Sequence, residues 1–143
     1  MLRVSRIDNL SKIDKILYED GIHKRLLPSE QRVDWDVANT KNCIAYLMYD
    51  NEEEAGFVLF MPVFDGIYLV DIGVLKRYRG KNAFLLAQMA RDIFFTNSGC
   101  DFIMAKIKKD NPESRMFAFK CGLRDLYSTN EYFYMGVKHG RSS

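Results

Sequence analysis

Apolar and polar positions alternate with a period of two in "LRVSRI", and the period then changes. Leu10, Ile13, Ile16 and Leu17 recur at helical spacing through "DNLSKIDKILYEDG". A first strand followed by a helix is predicted, capped by Asp8 or Asn9 and stopped at Gly21. From Ile22 to Lys41 neither period holds; Pro28 is placed to open a short second helix, with Trp35 as its apolar anchor. Three runs rich in β-branched and aromatic residues come next, "CIAYLMY", "GFVLFMPVF" and "IYLVDIGVL". They are separated by the turn-rich stretches "DNEEEA" and "DG", and connections that short make antiparallel neighbours.

In the second half, "NAFLLAQMARDIFFTNSG" places Leu86, Met89, Ala90, Ile93 and Phe94 on one helical face and stops at Ser98–Gly99. "DFIMAKIK" reads as a strand reached through that helix, so it should return parallel to the strand before it. In "NPESRMFAFKCG", Asn111 is the N-cap, Pro112 the first helical residue and Gly122 the stop. "EYFYMGV" closes the sheet as a final strand. The expected fold is α/β (α+β): one domain over residues 1–138, a mostly antiparallel sheet of six to seven strands with about four helices, and a polar tail at 139–143.

Composition narrows the functional classes. A chain of 143 residues, 48% hydrophobic and 28% charged, can bury one core. A formal net charge of +2 is too weak for a protein living on nucleic acid, so no nucleic-acid partner is expected and any functional positive charge must be local. Cys43, Cys100 and Cys121 form an odd set without C-x-x-C spacing, which argues against a disulfide framework or a metal site and fits a cytoplasmic address. No apolar run approaches the ~20 residues of a membrane span, and no membrane partner is expected.

The local charge is in "VLKRYRGKNAF", Val74 to Phe84, where Lys76, Arg77, Arg79 and Lys81 surround Gly80 just before an apolar helix. A helix start offers unpaired N–H groups and a partial positive charge, and a glycine lets backbone approach an anion without a Cβ in the way. The loop is not a Walker loop, since no second glycine followed by Lys-Ser/Thr closes it, and G-x-G-x-x-G is absent.

With these residues in view, the chain resembles the GNAT superfamily of acetyl-coenzyme A-dependent N-acyltransferases. "DIGVLKRYRGKNAFLL" is similar to that family's strand-loop-helix signature, with Arg77-x-x-Gly80 at its centre, and "NPESRMFAFKCGL" to its later Asn…Gly-Phe helix. The resemblance implies a splayed parallel pair of strands in the middle of the sheet and acetyl-coenzyme A as co-substrate, with no metal. It implies that backbone groups of Ile72 and Val74 meet the pantetheine arm, and that Arg79, Gly80, Lys81, Asn82, Ala83 and Phe84 hold the pyrophosphate. Asn111 and Ser114 would lie beside the pantetheine and thioester. Three positions depart from the pattern. Asn82 stands for the second Gly/Ala, Phe84 stands for a small residue and would narrow the pyrophosphate seat, and Ala118 stands where many members carry the tyrosine that protonates the leaving thiolate.

Acyl transfer to an amine needs a base, an oxyanion donor and an acid. Asp71 is the nearest carboxylate to the expected thioester, although strand geometry turns it away from the face of Val70 and Ile72 unless a bulge intervenes. A strand N–H near Val74 would serve as oxyanion donor. Tyr132 and Tyr134 on the final strand, with Tyr127 before it, are the candidate acids. Cys121 reads as a small buried side chain and His23 as a second candidate base. The carboxylates Glu30, Asp34 and Asp36 near the expected acceptor side are offset by Lys24, Arg25 and Arg32.

Two functional readings follow. The first is a small N-acyltransferase with a small-molecule or protein amine as acceptor. The second is a GNAT-fold protein that has lost transfer activity and serves in binding or assembly, such as a phage virion component, with the aromatic C-terminal strand pairing with another copy or an assembly partner.

Overall fold

The computed structural model describes residues 1–27 and 31–140. Pro28 and Glu30, and the end of the polar tail, lie outside the described residues. The elements are β1 (Leu2–Ile7), α1 (Asp14–Glu19, entered through a 3-10 turn at Leu10–Ile13), α2 (His23–Leu26) and α3 (Trp35–Ala38). They are followed by β2 (Ile44–Asp50), β3 (Glu53–Phe64), β4 (Ile67–Val74) and α4 (Lys81–Ser98). The chain ends with β5 (Phe102–Lys108), α5 (Pro112–Lys120), β6 (Arg124–Ser128) and β7 (Tyr132–Lys138).

The seven strands form one sheet in the order β1-β2-β3-β4-β5-β7-β6. Strands β1 to β4 form an antiparallel run, with short turns joining β2, β3 and β4 and helices α1 to α3 lying between β1 and β2 in the chain, and α4 carries the chain across to β5, parallel to β4. The α/β architecture and the seven-stranded sheet match the expectation, and two details were not placed by the pattern. Among the described residues there are five α-helices, because the weakly patterned segment holds two single-turn helices, α2 and α3, rather than one. The seventh strand, β6, has all five residues exposed and a bulge between Asp125 and Tyr127, so it lacks the alternation that announces a strand. It forms the sheet edge, and the aromatic strand β7 sits inside it between β5 and β6.

Each face of the sheet has its own core. On one, α4 lays Ala83, Leu86, Ala87, Ala90, Phe94 and Phe95 against Val58, Phe60 and Ile103, with the Phe60 and Phe94 rings stacked at 3.8 Å. The alanines let the helix lie close to the strands. On the other face, α1 and its leading turn bury Leu10, Ile13, Ile16 and Leu17 against Ala45, Leu47 and Phe57. Gly73 on β4 makes room there for α2: a Cβ at that position would stand 2.9 Å from Ile22 and 2.5 Å from Phe57. Ile22 is fully buried, and it anchors α2 over the C-terminal end of β4.

The β4–β5 junction decides where a ligand goes. The two strands pair only at Ile67↔Phe102, Tyr68↔Ile103 and Leu69↔Met104, and then splay. From Val70 onward, the edge of β4 that faces β5 has no ladder partner, and backbone polar groups left open in this way are satisfied by water or by a ligand.

Candidate active site

A cavity of about 180 Å3 fills the splay. Val70, Asp71, Ile72 and Val74 of β4 form one wall, and Ala105, Ile107 and the start of α5, with Asn111 and Ser114, form the other. The β3–β4 register runs without interruption through Asp71, which pairs with Leu59, so no bulge turns its side chain round. Val70 and Ile72 face the core under α4 while Asp71 faces the opposite side, and all three reach the cavity because it passes through the sheet between the parted strands. Burial pushes the Asp71 carboxyl up to about 6, with no cation near enough to bring it back down.

The β4–α4 loop adjoins this cavity. Gly80 is the N-cap of α4, with φ +136° and ψ −154°, a region open essentially to glycine alone. No side chain caps the helix, and nothing lies within 4 Å of where a Cβ of Gly80 would stand. The carbonyl of Gly80 accepts from the amides of Ala83 and Phe84, at 3.1 and 3.4 Å, whereas the amides of Lys81 and Asn82 precede any helical acceptor. A second hollow here is lined by Asp50, Arg77, Tyr78, Arg79, Gly80, Lys81 and Asn82. Arg79 lines both hollows, and its Nε donates to the Val74 carbonyl at 3.1 Å.

Two of the departures acquire definite roles. Asn82 Nδ2 donates to Asp50 Oδ2 at 3.3 Å, which ties the loop to the end of β2 and places a carboxylate beside the helix start. Phe84 is not among the residues lining that hollow. Its ring packs on Phe117 at 4.7 Å with the Lys120 ammonium over it, so it braces α4 against α5 and does not narrow the seat as expected from the sequence. Ala118 lines the cavity from α5.

The other candidates separate. Tyr132 and Tyr134 are not among the cavity-lining residues: β5 stands between β7 and β4, one strand away from Asp71. Tyr134 stacks on Tyr127 at 4.5 Å, and the Lys106 ammonium lies 4.2 Å from the Tyr132 ring. His23 also lies outside the lining; it packs on Tyr18, with Nδ1 buried and unpartnered among the described residues. Asp34 caps α3, accepting from the amides of Asp36 and Val37. Cys121 lines the cavity as a buried thiol whose pKa burial pushes up to about 11, far from a nucleophile's range. Among the described residues no group of His, Cys, Asp and Glu could hold a metal ion, and no helix is long and apolar enough to cross a membrane.

Sequence reasoning missed Arg91, Lys106 and Lys108 and read Arg25 only as a charge offsetting nearby carboxylates; all four are in the cavity wall. For the lysines a signal was present. They alternate with the apolar Ala105 and Ile107, so a strand that buries the alanine and isoleucine turns both lysines to the other face.

A family model described as the acetyltransferase (GNAT) family matches residues 10–123, most of the chain and the whole of both hollows. The chain belongs to the GNAT family. No curated protein matches it. Solved structures share the GNAT fold at low identity. Aminoglycoside acetyltransferase AAC(6')-Ib, in complex with coenzyme A and kanamycin, gives a TM-score of 0.75 at 14% identity, covering 96% of this chain and 95% of that one. Spermidine N-acetyltransferase from Vibrio cholerae, with coenzyme A and spermine, gives 0.74 at 16% identity over 96% and 95%. The Campylobacter jejuni N-acetyltransferase PseH gives 0.72 at 11% identity over 97% and 99%.

Proposed function

We propose that this GNAT protein is an N-acyltransferase that moves the acyl group of acetyl-coenzyme A to an amine. The observation that carries the reading is the parting of β4 from β5 beyond Leu69 and Met104. It produces a cavity with Asp71 on one wall and the start of α5 on the other, adjoining the uncapped start of α4. The coenzyme A complexes of the aminoglycoside and spermidine enzymes, and an acetyl-coenzyme A complex of PseH, support the same donor.

The residues fit this group. Amides from Gly80 to Phe84, with Arg79 and Lys81, would hold the pyrophosphate, and backbone groups of Ile72 and Val74 would pair with the pantetheine arm beside Asn111 and Ser114. The bound donor supplies an acyl group activated as a thioester. Asp71, with a pKa pushed up to about 6 in a buried setting, is ionised at neutral pH yet basic enough to take the amine's proton. With Ala118 in the wall, a water rather than a side chain protonates the leaving thiolate.

Isothermal titration with acetyl-coenzyme A tests the donor, and no binding at millimolar concentration overturns the reading. In an amine assay, Asp71→Asn should lower kcat by about 10²–10⁴-fold, the usual span for losing a general base. The rate of the parent protein should climb through pH about 6 and level off above it, and the variant should lose that limb. Stability should move the opposite way. The folded state holds the Asp71 proton more tightly than the unfolded chain does, so stability falls as pH rises from about 4 to about 6. Asp71→Asn should therefore raise stability at pH 7 by about 1–3 kcal/mol.

A second reading, a binding or assembly component without transfer activity, rests on Asp50: a carboxylate beside the helix start opposes the anion that the loop would take. Tight acetyl-coenzyme A binding with amine turnover would exclude it.

A further inference from the structure

Resting on the transferase reading, we propose that the amine acceptor carries an anionic group, a phosphate or carboxylate, which Arg25, Lys106 and Lys108 hold while its amine reaches Asp71.

The placement comes from the sheet. Ile103, Ala105 and Ile107 of β5 face the core under α4, so Lys106 and Lys108 face the other way, the side to which Asp71 also turns. Helices α1 to α3 pack the strands on the β1 side of the splay, and α2, anchored by Ile22 against Gly73, brings Arg25 over the end of β4. Arg25, Asp71, Lys106 and Lys108 therefore line one cavity from both sides of the parted strands.

The wall also carries Asp71 and Glu113, and its Arg91 pairs with Asp92, but three of its cations have no ion-pair partner. Five ion pairs within 4.0 Å are found among the described residues, and none includes Arg25, Lys106 or Lys108. Exposed lysines alone would signify little, because water neutralises them cheaply. Arg25 is exposed as well and differs in its neighbours: partial desolvation, and after it the positive charge of Arg79, push its pKa down, with Glu113 at the start of α5 only partly offsetting them. A cation held beside another cation in a cavity wall is a site complementary to an anion. Arg79 also lines the hollow at α4 and is assigned to the donor's phosphates. Lys106, 4.2 Å from the Tyr132 ring, is positioned by that contact on the open face of the sheet. A polycation would meet repulsion from the same three side chains.

The test is calorimetric, on protein saturated with coenzyme A, which fills the α4 seat and cannot react. Glucosamine 6-phosphate should bind at least tenfold tighter than glucosamine, and spermidine at least tenfold weaker than the phosphate-bearing amine. In Lys106→Glu/Lys108→Glu the phosphate's advantage should vanish, with coenzyme A affinity within twofold of the parent; both lysines are exposed, so the fold tolerates the change. The milder Lys106→Gln/Lys108→Gln pair should fall between. Equal binding of the two sugars, binding of neither, tighter spermidine, or an advantage that survives charge reversal each overturns the proposal. When coenzyme A binds and the phosphate confers nothing, only the acceptor class fails. When coenzyme A itself does not bind, the transferase reading and the acceptor class fall together.

Discussion

Two helices begin at the same cleft, and their first turns are built in opposite ways. Helix α5 opens with Asn111, whose side chain accepts from the Ser114 amide at 3.2 Å, and with Pro112, which has no amide to satisfy. Helix α4 opens with Gly80, which has no side chain to offer. One helix start is closed by its own sequence and the other waits for a partner from outside. The partial positive charge at a helix start is common to all helices, so what singles out α4 is the missing cap together with a backbone angle that keeps the approach clear. Cations reinforce the difference: Arg79 and Lys81 stand at α4, whereas Glu113 stands in the first turn of α5.

The contrast can be broken most forcefully at Gly80. Replacing it with valine forces a β-branched residue to φ +136°, a strain of about 1–3 kcal/mol, and the loop should relax away from its open form. Acetyl-coenzyme A binding by calorimetry should weaken at least about 30-fold, since it loses both the amides and the clearance. Asn111→Ala attacks the other start. It should cost about 1 kcal/mol of stability in thermal or denaturant unfolding, the usual worth of an N-cap, while donor binding changes less than fivefold. A loss of donor binding as large as that of Gly80→Val would mean that the two starts are not different in kind. The smallest effect has the less familiar sign. Asp50→Asn removes the carboxylate beside the α4 hollow, so donor affinity should rise about two- to fivefold, matching ~0.3–1 kcal/mol for a charge at an exposed helix start, and the gain should shrink as salt is raised.

The same two turns show what the sequence could and could not reveal. Asn111-Pro112 and the isolated Gly80 announce helix starts through local chemistry, and both lie where the pattern put them. Long periodic runs such as Leu86 to Phe94 and the three consecutive strands were equally legible, because the periodicity follows directly from which face is buried. The direction of a side chain at a junction was not. Phe84 has the right spacing to crowd the loop, yet it turns to Phe117 because α5, distant in sequence, offers it a ring. Tyr132 and Tyr134 gave no sign that β6 would pair outside them or that β5 would separate them from Asp71. Strand order is set by long-range pairing, which a local pattern does not encode. Arg25 was read only as an offsetting surface charge for a related reason: α2 is a single turn with no period of its own, placed by long-range contacts such as Ile22 against Gly73 and His23 on Tyr18.

The splay between β4 and β5 also bears on how the molecule holds together. Eight residue pairs join β3 to β4 and seven join β5 to β7, but only three join β4 to β5. The sheet is thus two well-laced plates sharing a short seam, and the seam is where local opening should begin, with those amide hydrogens of Val70 to Val74 that point into the gap, away from β3, among the first strand positions to exchange. A donor lying in the gap would supply the lacing the chain omits. By mass action, a ligand at a hundred times its dissociation constant adds about 2.7 kcal/mol to folding, so the donor proposed as the protein's reactant would also be the clasp that keeps its two halves in register.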